Sequence, residues 1–352
     1  MTARSFHFLL PGSPETPTGG FVYDRHMLCA LRAAGRLAGA IVLPGTYPHP
    51  SQAARAAGAQ AVERLPDSAS AIIDGLAFSP LLEAFAAASR LSLYPLIHHP
   101  LAEETGLSAA IRDRLYERER QALALAHGVV VTSEHTALRL AAFGVPARRI
   151  RVVRPGVDGP CPRMRSAATL RVHPVVLLCV ASLARRKGQD VLLRALARLR
   201  SFRWRLLLVG PAREAAFAGR LRRLARHLGI AGQIVFTGAV SEARLARLYR
   251  LANLFVLPSY YEGYGIAVAE AAAHGLPVVA SDAGAIPEAI VGARHRLVPT
   301  GDVPALADTL RGFLVARRAI GGDWRAPMDA RPRSWAAAGR EFLAALDSLS
   351  AS

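Results

Sequence analysis

Two acids and two glycines crowd one stretch of the segment 258–290, PSYYEGYGIAVAEAAAHGLPVVASDAGAIPEAI. Glu262 precedes a loop holding Gly263 and Gly265, and Glu270 follows inside a run of strong helix formers that ends at His274-Gly275. Glycines in such a loop let the backbone approach a ligand. The unpaired N–H groups of a first helical turn, with the helix dipole behind them, form a site for a phosphate. Eight residues are little more than two turns, so both carboxylates can point toward one ligand, Glu270 ~7 Å farther along. A carboxylate beside a phosphate makes electrostatic sense when it accepts hydrogen bonds from hydroxyls, as the acid of dinucleotide folds does from a ribose. The pattern therefore asks for a ligand carrying both phosphates and diols. Taken singly, either glutamate is more often a solvated surface acid. Glu270, however, is flanked by AVA and AAA, where an ionised group needs a partner.

Three further places could do chemistry. Lys187, in ASLARRKGQD, is the single lysine among 44 basic residues. A solvated cation at a helix start is the ordinary reading. Yet a chain that uses arginine everywhere else keeps a compact ammonium here, beside Gly188, where a planar guanidinium would fit differently. Gly19 and Gly20, in PETPTGGFVYD, follow the first apolar run and serve either a turn or the close approach of a ligand. His98 and His99 end the run LSLYPLIHH. A lone histidine on an apolar strand is more often a satisfied core residue.

The elements that must position these residues alternate in kind. Short β-rich apolar runs (SFHFLL, GAIVLP, AIIDG, LSLYPLIHH, GVVVTS, IRVVRPG) are separated by helical patterns such as FVYDRHMLCALRAAG and RDRLYERERQALALAH. Near-continuous apolar runs are what strands covered on both faces require. After a proline-rich break, RPGVDGPCPRMRSAATLRVHP, which reads as a linker, the same grammar restarts with VVLLCVA, RWRLLLVG, QIVFTG, ANLFVLPS and PVVASD. The fold class is α/β, with two doubly wound parallel sheets in tandem. The expected division is 1–160, 161–330 and a terminal helix in 331–352 that packs back toward the first domain. Ser334 is that helix's N-cap, and Trp335, Phe342, Leu343 and Leu346 lie near one face. Ligands of such sheets bind outside the carboxyl ends of the strands, where all the residues above fall.

The Glu-x7-Glu loop EGYGIAVAE, followed by AxxxGLPVVAS and GAIPEAI, resembles the signature of retaining glycosyltransferases of the GT-B fold, family 4, and the likeness extends over nearly the whole chain. It implies two Rossmann-like domains facing across a cleft, with the nucleotide-sugar donor held by the second. It also implies that Glu262 lies by the donor sugar, that Glu270 binds the ribose diol, and that Gly263, Tyr264, Gly265 and Ile266 hold the diphosphate. Tyr264 stands where family members often have Phe. VASLARRKGQDVLLRAL resembles the loop whose basic pair binds the diphosphate, which assigns that role to Lys187. Ala181-Ser182-Leu183 replaces the commoner Gly-Arg-Leu, so the usual arginine is absent, and Arg186 or Arg185 supplies the second cation. The resemblance places Gly19 and Gly20 against the donor phosphates and His98, with His99 in reserve, near the sugar. Gly238, after Thr237, falls by the nucleotide base, and Glu103 and Glu104 meet either an acceptor or solvent. The turn Arg154–Asp158 is structural. Around Gly292 and Asp302, arginine and histidine stand where a second glycine is common. His98, Glu262 and Lys187 are the catalytic candidates, with no metal and no cofactor beyond the nucleotide sugar as co-substrate, and a hydroxyl-bearing acceptor. A nucleotide-sugar epimerase of the same fold and a catalytically silent nucleotide-sugar binder are the rival functions.

Composition bounds the rest. The chain has 352 residues, 52% of them hydrophobic, with no apolar run near the ~20 residues that cross a bilayer. Its start is too short in apolar residues for a secretory signal, which points to the cytoplasm. Cys29, Cys161 and Cys179 are far apart and suggest neither disulfides nor a zinc site. A formal charge of +18 admits nucleic acid, anionic lipid or a phosphate-bearing small molecule as partner. The arginines are spread along the chain without a reading motif, which argues against nucleic acid. The arginine-rich stretch GRLRRLARHLG is amphipathic and raises peripheral contact with an anionic membrane, against a plain solvated basic face.

Overall fold

The computed structural model describes residues 4–157, 174–290, 292–320 and 332–351, the side chains of 317–320 excepted. Cys161 and all but the ends of the expected linker lie outside the described residues. The chain forms two compact units, Met1–Gly156 with Arg333–Ser352, and Val157–Pro332. The first ends a few residues before the expected 160, and it takes in the terminal segment.

The first unit carries a six-stranded parallel sheet of order β2-β1-β3-β4-β5-β6. Its strands are β1 (Phe6–Leu10), β2 (Leu37–Val42), β3 (Ser70–Asp74), β4 (Ser92–Ile97), β5 (Val129–Val131) and β6 (Ile150–Val152). Helices α1 (Gly19–Ala33), α2 (Gln52–Glu63), α3 (Gly75–Phe78), α4 (Leu82–Ala87), α5 (Ala109–Ala124) and α6 (Glu134–Ala142) make the crossovers. Every residue of β3 is buried, as covered faces demand, whereas edge strand β2 alternates between half-buried and exposed. Thr18, Ser108 and Ser133 cap α1, α5 and α6 with side-chain oxygens on backbone N–H groups.

The second unit repeats the plan with order β12-β11-β10-β7-β8-β9. Its strands are β7 (Val175–Val180), β8 (Trp204–Val209), β9 (Ile234–Gly238), β10 (Leu254–Leu257), β11 (Val278–Ser281) and β12 (His295–Val298). Between them run α7 (Gln189–Ala197), α8 (Ala215–His227), α9 (Glu242–Leu251), α10 (Ile266–Ala273) and α11 (Ile286–Ala289), and α12 (Val303–Ile320) follows. Strand β12 has no counterpart in the sequence reading. It is an edge strand, HRLV, mostly exposed, and so lacks the apolar run that marks the others.

The last helix, α13 (Trp335–Ser350), belongs to the first unit. Ser334 caps it as expected, and Trp335, Phe342 and Leu346 are buried, with Leu343 half-buried. It lies so close to α1 that a Cβ on Gly339 would stand 2.8 Å from the Ala30 methyl. Arg36 joins it through an ion pair to Asp347 at 2.6 Å.

Each sheet has one switch point, where the chain reverses its direction of travel along the strand order. In the first it lies between β1 and β3, and in the second between β7 and β10. Ligands of doubly wound sheets bind there.

Candidate functional site

In the second unit the loops after β7 and β10 meet over the switch point. The loop after β7 makes a single 3-10 turn, Arg185–Lys187, and closes on Gly188 in the left-handed region, φ +62. A Cβ at Gly188 would come within 2.0 Å of the Pro258 carbonyl oxygen, so only glycine lets the two loops touch. The Tyr260 N–H then donates to the Arg186 carbonyl at 2.7 Å, and the Arg186 guanidinium donates to the Tyr261 carbonyl at 2.6 Å.

This contact brings Lys187 onto Glu262. The ammonium donates to both carboxylate oxygens, at 2.7 and 2.8 Å, the Ser259 hydroxyl donates at 2.7 Å, and Arg186 stands 3.7 Å away. Burial would raise the Glu262 carboxyl, but the charges of Lys187 and Arg186 overcome it and hold the group below its ordinary value. A third loop braces the same acid from behind. Ala285 donates its N–H to the Glu262 carbonyl at 2.9 Å, and Gly284, φ +57, leaves no room there for a side chain.

Gly263, Tyr264 and Gly265 connect Glu262 to α10. Gly265, φ +96, is the N-cap, and Ile266 begins the helix. Glu270, farther along, accepts from the Tyr249 hydroxyl at 2.7 Å. Burial and the neighbouring Glu270 charge push the Tyr249 phenol well above its usual range, so it stays a donor. Tyr249 is held in turn by stacking on His274, with ring centroids 4.8 Å apart. Gly238, at the end of β9, is left-handed and opens onto free space, and the Thr237 hydroxyl donates to the Gly238 carbonyl at 2.8 Å.

In the first unit the switch point holds a second cluster. His98 follows β4, Asp74 ends β3, and Asp24 lies on α1. Its Nε2 is 3.1 Å from Asp24 Oδ1 and 3.4 Å from Asp74 Oδ2. Both aspartates are fully buried. Burial alone would lower the histidine, but the two carboxylates reverse that and raise it to about 10. Burial and the Asp74 charge push Asp24 well above the carboxylate range. For Asp74, burial is outweighed by His98 and by the Leu76 N–H, 2.6 Å from Oδ1, which together hold it below that range. Asp24 Oδ2 is buried and makes no hydrogen bond of its own. The ligand-type atoms of the three side chains lie within 4.8 Å of one another, a spacing that a proton or a cation can bridge.

Gly20 belongs to this cluster. A Cβ there would stand 3.3 Å from His98 Cδ2, so the glycine lets α1 begin against the imidazole. Gly19 opens the same helix. Tyr23 meets the imidazole edge-on at 5.5 Å and donates its hydroxyl to the Val153 carbonyl at 2.9 Å. His99 turns elsewhere, its Nε2 3.6 Å from Glu104. Glu103 is paired with Arg139, Arg154 lies 3.2 Å from Glu134, and Asp302 accepts from the Ala305 N–H at 2.8 Å. Asp24, Asp74, Ser259 and Tyr249 were absent from the sequence reading. Asp74 carried a signal, an acid at the carboxyl end of an otherwise apolar strand, whereas Asp24 is separated from its histidine by 74 residues.

Two family models match the chain in succession, "Glycosyltransferase Family 4" over residues 26–159 and "Glycosyl transferases group 1" over residues 174–315. The chain belongs to the family 4 glycosyltransferases of the GT-B fold. Among curated relatives of this family, a D-inositol 3-phosphate glycosyltransferase from Mycobacteroides abscessus is 32% identical over 71% of this chain and 59% of its own length. A GDP-mannose-dependent phosphatidylinositol monomannoside mannosyltransferase from Mycobacterium tuberculosis is 33% identical over 60% of this chain and 57% of its own. The chain thus spans less than two thirds of the length of these relatives. Solved GT-B structures agree in fold. The Anabaena protein HepE in complex with UDP-glucose aligns with TM-score 0.74 at 20% identity, over 97% of this chain and 99% of that one. The sucrose-phosphate synthase of Thermosynechococcus elongatus aligns at 0.73 and 21%, over 98% and 94%.

Proposed function

We propose that this chain transfers a sugar from a nucleotide-diphosphate donor to a hydroxyl acceptor with retention of anomeric configuration. One observation carries the reading: the single lysine is locked against the buried Glu262 at the switch point, beside the glycine-capped start of α10. The leaving diphosphate gains charge as the glycosidic bond breaks. An ammonium already oriented in a water-poor site, together with Arg186 and the first N–H groups of α10, stabilises that charge more than the ground state. Glu262 holds Lys187 in place, and its oxygens accept from sugar hydroxyls. Glu270, oriented by Tyr249, accepts from the ribose diol. The residues named require no metal and no cofactor beyond the donor. His98 serves the sugar side, with Gly19 and Gly20 as the close-approach backbone.

We place the work in the cytoplasm. Contact with anionic membrane would rest on charge alone. Arg220, Arg222, Arg223 and Arg226 of α8 are exposed, but Phe217, Ala218, Leu221 and Ala225 are packed into the core and are not available for insertion. No helix among the described residues is long and apolar enough to cross a membrane.

The test is a thermal-shift panel of UDP, GDP and ADP with UDP-glucose, GDP-mannose and ADP-glucose, followed by product analysis with acceptors, inositol phosphates included. One nucleotide family should raise the melting temperature, Lys187→Met should remove most of that rise, and the product anomer should match the donor's. If no nucleotide stabilises the protein, the reading fails. Inversion of the anomer would remove the retaining assignment alone.

A further inference from the structure

The cluster in the first unit is more elaborate than a binding histidine needs. We propose that Asp24 and Asp74 are positioning residues that clamp the His98 imidazole by its Nε2–H, so that Nε2 is a fixed hydrogen-bond donor and not a proton acceptor. The inference rests on the reading of His98 as part of the transfer site.

The geometry carries it. A ring nitrogen that faces two carboxylate oxygens, at 3.1 and 3.4 Å, is a donor, since an unprotonated nitrogen there would set a lone pair against two others. The two carboxylates come from different elements, α1 and the end of β3, so the ring is fixed in two directions. Each acid is itself anchored. Asp74 caps α3 through the Leu76 N–H, and Asp24 is carried on the turn whose Gly20 backbone lies against the ring. Tyr23, from α1, closes the edge of the imidazole, and Trp335 of α13 packs on Tyr23 with centroids 6.1 Å apart. The charged and titratable groups facing the ring are therefore Asp24 and Tyr23 from α1 and Asp74 from β3. Arg333 and Glu341 act on Tyr23 from the terminal segment.

A clamped Nε2–H has a different use from a base. A neutral histidine base loses its function as pH falls through its own titration near 6.5, which puts an acid limb on the rate. An Nε2 whose proton is held by two buried acids contributes no such limb. The clamp fixes the tautomer and the plane of the ring.

Proton NMR of the full chain with 15N-labelled histidine, His98 being assigned by His98→Gln, reads the clamp directly and needs no substrate. The expected result is an Nε2-bound proton on His98 throughout pH 6 to 9 in the wild type, and a lowered titration midpoint in both Asp24→Asn and Asp74→Asn. With whichever of UDP-glucose, GDP-mannose and ADP-glucose the wild type turns over, each variant should lose about 10- to 100-fold in kcat. Its donor KM should change little, and an acid limb absent from the wild type should appear. A wild-type His98 with its proton on Nδ1 alone would overturn the clamp. So would a stoichiometric divalent metal in the purified protein that Asp24→Asn removes, or variants with wild-type kcat and pH profile. Should none of the three donors be turned over, the transfer reading fails, and the NMR result still decides the clamp in the wild type.

Discussion

Lys187 and Glu262 form a pair whose two members depend on one another. Removing one partner of a buried ion pair strands a charge and costs about 3–5 kcal/mol, whereas replacing both with apolar side chains is often close to neutral. Lys187→Met should therefore lower the stability of the second unit by about 3 kcal/mol, measured by urea denaturation, and Lys187→Met with Glu262→Met should recover most of it. A double variant as unstable as the single one would deny the pairing its importance. Glu119 makes a second residue-level case, with the opposite sign from an ordinary paired acid. Its carboxylate, on α5, accepts from the Leu101 and Ala102 N–H groups at 2.6 and 2.9 Å, in the loop just past His98. Burial nevertheless raises it to about 7. A raised folded value means that its contribution is fully present below the unfolded value near 4.5 and is lost as pH rises through about 7. Wild-type stability should thus decline across that window relative to Glu119→Gln, in thermal melts recorded at closely spaced pH values. Parallel pH profiles for the two proteins would refute it.

At the scale of elements, the loop after β7 is set by one backbone conformation. Gly188→Ala must hold φ +62 with a side chain and must also displace the Pro258 carbonyl, 2.0 Å from the new carbon. The first effect alone costs roughly 1 kcal/mol, and the displacement moves Lys187 off Glu262. We expect a clear loss of stability together with loss of any nucleotide-diphosphate stabilisation. Gly232→Ala, which meets nothing within 4 Å, should leave both unchanged. These elements also mark how far the sequence could be read. Eleven of the strands coincide with apolar runs, and in the inner ones, covered on both faces, burial is written into consecutive residues. β12 escaped because two of its four residues, His295 and Arg296, are basic and break the run. The glycine loop and Lys187 stand out through residue type and position at strand ends, and His98 through the family resemblance. The partners that tune them were not. Asp24 sits on a helix with no mark of its distant histidine, and the Tyr249 hydroxyl reaches Glu270 from a neighbouring helix 21 residues away. Contacts of this kind depend on crossover geometry, which hydrophobic periodicity does not encode.

For the molecule as a whole, the first unit is completed by the chain's last turns, after the second unit has been threaded. α13 buries Trp335, Phe342, Leu346 and Leu349. Trp335 stacks on His26 at 4.0 Å and packs on Tyr23, the residue that closes His98. At about 1.5–3 kcal/mol for each large side chain removed from water, these four contribute on the order of the entire 5–15 kcal/mol that holds a typical domain folded. Leu349 also fills the space against Gly128, where a Cβ would come within 2.7 Å of it. Deletion of residues 333–352 should therefore unfold the first unit selectively. Its amides should become open to hydrogen exchange, while the core of the second unit around Leu178, Leu206 and Phe255 stays protected. The His98 clamp should be lost in the same variant, because Tyr23 and α1 lose their support, whereas the Lys187–Glu262 pair should persist. Protection retained across β1, β3 and β4 after the deletion would mean that α13 is an accessory to a unit already stable without it.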